Sequence, residues 1–195
     1  MKIRLLLLSF FIVLIFHALG CGNRANAKPK DNDIPQFAGN FYFAPQTWPN
    51  VGNGSDTKFG LGLGGMFGLK MPLGDTTTSI GPHIGISHWS ADYSKKSGGA
   101  TDSVFVEMVD LGMEFQIEYE NVQMIIGAGG TQLSSGMIIG GKTQMYPGLD
   151  KAQYQYTAAG LGFKMENYYI AVVAVSYSGY AHYADRMEIR GGMTL

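Results

Sequence analysis

A disulfide needs two cysteines and this sequence has one, Cys21, so no bridge can form within the chain and the fold must be held together by other means. Charge is also scarce. Only 15% of the 195 residues are Asp, Glu, Lys or Arg, and the formal net charge is -1, so nothing in the sequence draws it to nucleic acid or to an acidic surface. There are 4 histidines, with no metal-ligand spacing: His83 and His88 fall on opposite faces of a strand, and His182 lies far along the chain. The glycine runs "GLGLGG" and "GAGG" do not lead from a strand into a helix, so they are not phosphate cradles, and no cofactor is expected. Beyond the N-terminal segment, no stretch shows helical spacing. The excess lies elsewhere, in 28 glycines, 11 Tyr and 11 Phe with no collagen-like period. That composition suits closely apposed strands with aromatic ends. The length fits one domain.

The chain begins "MKIRLLLLSFFIVLIFHALGCG", a basic start at Lys2 and Arg4 followed by an apolar stretch from Leu5 to about Gly20. This is the layout of a secretory signal. An uncleaved anchor helix is the alternative. Two processing sites compete. Ala25-Asn26-Ala27 has the small-x-small pattern of signal peptidase and would release a chain starting at Lys28. "HALGCG" resembles a bacterial lipoprotein box, which implies lipidation of Cys21 and a membrane anchor there. The organisation read from the sequence is a signal peptide over residues 1–27, a polar periplasmic tether over 28–36 and one β domain over 37–195.

Within that domain, alternating segments are separated by turn-rich punctuation, the signature of an up-and-down barrel. Strands are expected at Phe37 to Ala44, Phe59 to Leu73, Ser79 to Tyr93, Phe105 to Tyr119, Val122 to Leu133, Tyr154 to Met165, Tyr168 to Tyr180 and Met187 to Leu195. "GDTTT" at Gly74 to Thr78 and the two "EN" pairs at Glu120-Asn121 and Glu166-Asn167 are tight reversals. Between them come long connections, including "PQTWPNVGNGSDTK", "SKKSGGATDSV" and "SSGMIIGGKTQMYPGLDKAQ", with a modest one at Ala181 to Arg186. Short and long alternate, as they do when all short turns lie at one end of a closed antiparallel sheet. Pro82 interrupts the third strand, and a bulge is expected there.

The stretch "VDLGMEFQIEY" shows which face should be wet. Val109, Leu111, Met113, Phe115, Ile117 and Tyr119 share one surface; Asp110, Gly112, Glu114, Gln116 and Glu118 share the other. The interior of an eight-stranded barrel is barely wide enough for side chains, and this many bulky residues would overfill it. Turned outward, they would meet lipid. The charged set then lines the lumen, because a charge on the lipid face costs about 2–4 kcal/mol when basic and less when acidic. The expected polar network of the lumen is Lys70, Asp110, Glu114, Lys164, Glu188 and Arg190, with Glu114 paired to Arg190 across the barrel. Lys70, Glu118, Lys164 and Glu166 can equally be read as lining a wet mouth near the turns. Tyr119, Phe163, Tyr168 and Tyr169 should form an aromatic belt beside the short turns. Trp89, Tyr93, Tyr154, Tyr177 and Tyr180 should form a second belt at the loop ends.

With these features, ending in the alternating strand "MEIRGGMTL", the chain resembles the small outer-membrane β-barrel proteins of the eight-stranded OmpA and OmpX type over roughly Phe37 to Leu195. The resemblance implies an eight-stranded antiparallel transmembrane barrel in the outer membrane of a Gram-negative-type cell. It also implies partners in outer-membrane lipid and the barrel-assembly machinery, and a structural or surface-interaction role. The loops around Trp48, Lys95 to Ala100 and Met137 to Asp150 would face outside, and the sequence names no partner for them. "SHWSADY" sets His88 and Ser90 on one strand face in a way similar to outer-membrane lipid A deacylases, which would make His88, Ser90 and Asp92 catalytic. Plain polar residues at a membrane boundary are the other reading of those three. A soluble lipocalin-like ligand cup, with the bulky face inside, is the third functional class.

Overall fold

The computed structural model describes residues 35–48, 58–93, 102–139, 142–145, 152–178 and 185–195. Cys21, the signal segment, residues 28–34 of the tether, Tyr180 and His182 lie outside the described residues. The described residues form nine strands: β1 (Gln36–Trp48), β2 (Lys58–Leu73), β3 (Thr76–Tyr93), β4 (Asp102–Tyr119), β5 (Val122–Ile139), β6 (Lys142–Met145), β7 (Ala152–Met165), β8 (Tyr168–Tyr177) and β9 (Arg186–Thr194). All pairings are antiparallel, and the β4–β5 and β1–β9 ladders close eight of the strands into a ring. The short β6 stands outside that ring, paired among the described residues to the far end of β5 alone.

The stagger of the ring can be followed residue by residue. Gln36 pairs with Lys70, and the ladder then runs through Ser79, Gln116, Ile125, Gly160, Val173 and Glu188 to Gln46. It re-enters β1 ten residues above its start. A closed eight-stranded sheet with such a shear has strongly tilted strands and an interior that side chains can fill.

Short reversals join β2 to β3, β4 to β5 and β7 to β8, with Gly74, Glu120 and Glu166 in the left-handed region at φ 64°, 50° and 53°. Several elements outrun their sequence signals. β1 continues past Ala44 to Trp48, β3 starts at Thr76, and β5 continues past Leu133 to Ile139. β6 lies in a stretch expected to be loop. There Gly136 to Ile139 find backbone partners in Met145 to Lys142, and pairing needs only a neighbour, whatever the side-chain alternation. β8 ends at Tyr177, short of Tyr180, and β9 begins at Arg186, a residue expected in the preceding connection.

Pro82 does not create a bulge. The β2–β3 ladder pairs Met66 with His83 and Leu69 with Ile80, the same offset on both sides of the proline, so no residue is inserted. The ladder simply lapses between them, where a proline has no N–H to donate. Pro45 does the same to the β1–β9 ladder, which skips from Phe43↔Gly191 to Gln46↔Glu188 at constant offset. Beside Pro82 the two backbones come very close. A Cβ on Gly81 would fall on the Phe67 carbonyl, and one on Gly68 would fall on the Ile80 carbonyl.

Gly81→Ala is therefore expected to lower unfolding stability by about 1–3 kcal/mol through forced strand separation. Gly191→Ala, where an added Cβ meets nothing within 4 Å, should change it by no more than about 0.5 kcal/mol. Urea midpoints of the refolded barrel compare the two.

Candidate functional site

Two surfaces carry the chemistry, the inside of the ring and its outer wall. On β4, Asp110, Glu114 and Gln116 are buried, while Val109, Leu111 and Met113 are exposed on the outside at 38%, 57% and 50%. The bulky apolar face therefore lies outside, the reverse of a ligand cup. Phe59, Leu61, Leu63 and Leu69 on β2, Ile84 and Ile86 on β3, Leu161 and Phe163 on β7, Ile170 and Val172 on β8, and Met187 and Ile189 on β9 continue the exposed belt.

Inside, polar groups are stacked from the turn end upward. Lys164 Nζ donates to Glu118 Oε2 at 2.8 Å, and Lys70 Nζ lies 3.7 Å from the same oxygen. Above them, Gln123 donates to Gln116 at 2.9 Å and Gln116 to Glu114 at 2.6 Å. From Glu114 a chain of alternating charge crosses the lumen. Arg190 Nη1 donates to Glu114 Oε2 at 2.6 Å and Arg190 Nε to Glu188 Oε2 at 2.8 Å. Arg186 Nε reaches Glu188 Oε1 at 2.7 Å, and Arg186 Nη2 reaches Asp110 Oδ2 at 2.5 Å. Each guanidinium is shared between two carboxylates. All five residues are at most 3% exposed, so each charge depends on its neighbours for the solvation that it lost.

Aromatic and amide side chains surround this chain. The Arg190 guanidinium sits 4.3 Å from the centroid of the Tyr42 ring, and Tyr42 stacks on His83 at an interplanar angle of 5°. His83 Nε2 lies 2.8 Å from the Tyr42 hydroxyl, and Nδ1 lies 3.2 Å from the Tyr156 hydroxyl. Arg186 also donates to the Tyr177 hydroxyl. Gln46 donates to Glu188 at 2.9 Å and to Ser87 at 3.0 Å. Toward the loop end, Trp48, Trp89, Val106, Met108 and Leu133 form a buried apolar cluster.

The structure brings Glu114 and Arg190 together, and adds Glu188 and Asp110 to the same chain through Arg186. Lys70 and Lys164 join Glu118 lower down, away from the buried chain. Arg186 falls at the edge of a segment whose sequence reads as a connection, yet it opens β9 and shares the inward parity of Glu188 and Arg190. Tyr42, His83 and Tyr156 were missed as lumen partners because parity says which face a residue takes and nothing about how far its ring reaches. The aromatic belts need correcting. Tyr119, Phe163 and Tyr168 do face outward, but Tyr169, Trp89 and Tyr177 are buried inside and Tyr154 packs half-buried against the same core, because each alternates with an exposed neighbour on its own strand. Of the side chains of Tyr93 and Asp92 nothing is described. His88 and Ser90 are exposed on the outer wall, and His88 Nδ1 lies 3.5 Å from Glu107 Oε1. His88 also stacks on Phe105 at a centroid distance of 6.5 Å. Among the described residues, no group of three or more His, Cys, Asp or Glu could hold a metal ion.

Truncating Arg190 leaves Glu114 without its guanidinium and Glu188 with one of its two. Arg190→Met should therefore cost about 3–5 kcal/mol of barrel stability, the usual penalty for breaking a buried pair. Lys70→Met, at a partly exposed pair, should cost less than about 1 kcal/mol. Urea titrations followed by the shift between folded and unfolded gel mobility measure both.

No protein-family model matches the sequence, and a search of curated proteins finds no relative. Solved structures do match. The attachment invasion locus protein Ail of Yersinia pestis is 10% identical with a TM-score of 0.51, over 82% of this chain and 97% of that one. Neisserial surface protein A is 9% identical with a TM-score of 0.47, over 83% and 98%. The N-terminal barrel domain of Pseudomonas aeruginosa OprF is 12% identical with a TM-score of 0.43, over 83% and 98%. At such identities the likeness to Ail is one of fold, and by fold this chain is a closed eight-stranded antiparallel barrel like Ail.

Proposed function

We propose that the chain is an outer-membrane protein whose wall sits in lipid, whose lumen is closed by its own side chains, and whose loop end serves a structural or surface-interaction role. The single observation behind this reading is the belt of exposed Phe, Leu, Ile, Val and Met running round the ring, with the charged groups of the same strands buried inside. In water that belt would be a large apolar surface with nothing to cover it. In a bilayer it is matched by acyl chains, and the closed ladder leaves no unpaired sheet edge in the hydrocarbon.

The N-terminal signal pattern supplies export, and lipid and the barrel-assembly machinery are the partners that follow. Ail, an attachment invasion locus protein by name, lends support to a surface-interaction role. The buried chain from Glu114 to Asp110 and the Trp48–Trp89 cluster above it argue for a closed lumen rather than a diffusion pore.

Three outcomes are expected in envelopes. The chain should partition with detergent and migrate differently on gels before and after heating, and external protease should cut only at the loop end. Leu111→Arg, which puts a cation on the outer wall, should lower barrel stability by about 2–4 kcal/mol if that position meets the mid-membrane, and by less nearer the surface. Recovery of the unmodified chain in the aqueous periplasmic fraction would overturn the reading.

A further inference from the structure

The outer wall is not uniform. On the β2 and β3 side, large side chains reach far toward the loop end, with Leu61 at 55% exposure and Ile86 at 55%. On β5, β7 and β8 the exposed residues change character in order. From loop end to turn end, β5 presents Gln132, Gly130 and Ala128, and β7 presents Gln153, Gln155, Thr157 and Ala159 before Leu161. β8 presents Ser176 and Ala174 before Val172, with Ser178 just beyond its loop end. The upper part of this wall is thin and polar, and a groove of about 580 Å³ lies over it. Val109 and Leu111 line it on the β4 side, Gly130 and Gln132 line the middle, and Gln153, Gln155 and Ser178 line the far side.

Three properties limit what can occupy it. The groove straddles the upper edge of the apolar belt, with hydrocarbon side chains at one end and carboxamides at the other, so its occupant must be amphiphilic. Among the described residues lining it none carries a guanidinium, ammonium, imidazole or carboxylate, so those residues offer a phosphate none of the groups that normally hold it. The three glutamine carboxamides each have a donor and an acceptor, and none has a side-chain hydrogen-bond partner among the described residues. Paired donor and acceptor groups of this kind match the vicinal hydroxyls of a sugar. Gly130 forms part of the floor. A Cβ added there would meet only the Tyr154 carbonyl, at 3.8 Å, so the space above it is open.

We propose that this groove is a binding site for a glycolipid. One acyl chain would lie along Val109, Leu111 and Gly130, and an uncharged sugar headgroup would be held by Gln132, Gln153 and Gln155. The proposal rests on the outer-membrane reading, since it places the groove at the lipid boundary.

The test uses the full barrel in detergent micelles, with native mass spectrometry counting the lipids that stay bound. Three probes with identical acyl chains are compared: monogalactosyl diacylglycerol, diacylglycerol and phosphatidylglycerol. The wild-type barrel should retain the galactolipid about tenfold better than diacylglycerol, the gain expected from one or two added hydrogen bonds, and better than phosphatidylglycerol. Gly130→Leu, which fills the floor, should abolish the preference. Gln153→Leu with Gln155→Leu keeps the shape and should bring the galactolipid down to the diacylglycerol level. Gly191→Leu, on the outer face of β9 with open space around it, should leave retention unchanged. Heat-modifiable migration of every variant confirms that the barrel is folded. Galactolipid retention unaffected by Gly130→Leu, or phosphatidylglycerol held as tightly as galactolipid, overturns the site while leaving the membrane reading intact. A chain that stays soluble without detergent overturns the membrane reading itself, and the site with it.

Discussion

Closure of the ring is the constraint on which the rest depends. Once β1 pairs with β9 and β4 with β5, every strand residue has one of two destinations, and the choice alternates along the chain. The shear that returns Gln36 to Gln46 fixes a narrow interior, so the inner set has to be either small or mutually complementary. The two sets on β4 illustrate the division: Leu111 and Met113 lie exposed on the outer wall and need no particular neighbour, whereas Asp110 and Glu114 need particular partners in particular places. β9 supplies those partners with the same alternation, since Arg186, Glu188 and Arg190 point inward while Met187 and Ile189 point out. Specificity of register and placement of charge are thus one problem, because a slip of one residue in β9 would bring two arginines and a glutamate onto the apolar outer wall.

The buried chain of charges is held by sharing. Asp110, Glu188 and Glu114 present three carboxylates to the two guanidiniums of Arg186 and Arg190. A linear order of acid, base, acid, base, acid lets every arginine touch two acids, with Glu188 between the two arginines. The outer acids are finished by neutral donors: the Tyr177 hydroxyl on Asp110 and the Gln116 amide on Glu114. Such an arrangement contributes less to stability than well-packed hydrocarbon would, but removing one member leaves its neighbours exposed to a low-dielectric interior. It also ties β4 to β9 directly across the lumen, a connection that the sheet ladder makes only by the long way round.

Much of this was legible before any coordinates, and what was not has a physical reason. Period-two alternation in "VDLGMEFQIEY" and "FGLGLGGMFGLKMPL" assigns faces, and the alternation of short and long connections assigns ends. Both follow from local geometry, and both agree with the eight-stranded ring. The Glu114–Arg190 contact was accessible because parity and distance from the short turns narrow the choices in a small lumen. The β5–β6 extension was not accessible, since Gly136 to Ile139 pair through backbone groups and carry no alternation to announce it. The inward rings were legible by the same rule of alternation, though their place at strand ends suggests an interface belt: Trp89 alternates with the exposed His88 and Ser90, and Tyr177 with the exposed Ser176, so period two turns both inside.

The space for these rings comes from glycine, which explains the excess noted in the composition. A Cβ on Gly60 would strike the Trp48 ring, one on Gly64 the Tyr42 ring, one on Gly112 the Tyr156 hydroxyl and one on Gly192 the Tyr169 ring. Each pairs an inward glycine with a large inward side chain, so the glycines act as sockets and are not points of flexibility. A lumen built this way can contain two tryptophans, several tyrosines and five buried charges within a ring of only eight strands, because the volume of each ring is offset by a missing side chain beside it. The same residue has a different effect on the outside. Gly130, with nothing but a distant carbonyl near its open position among the described residues, faces none of their rings, and the room it leaves opens onto the outside of the barrel.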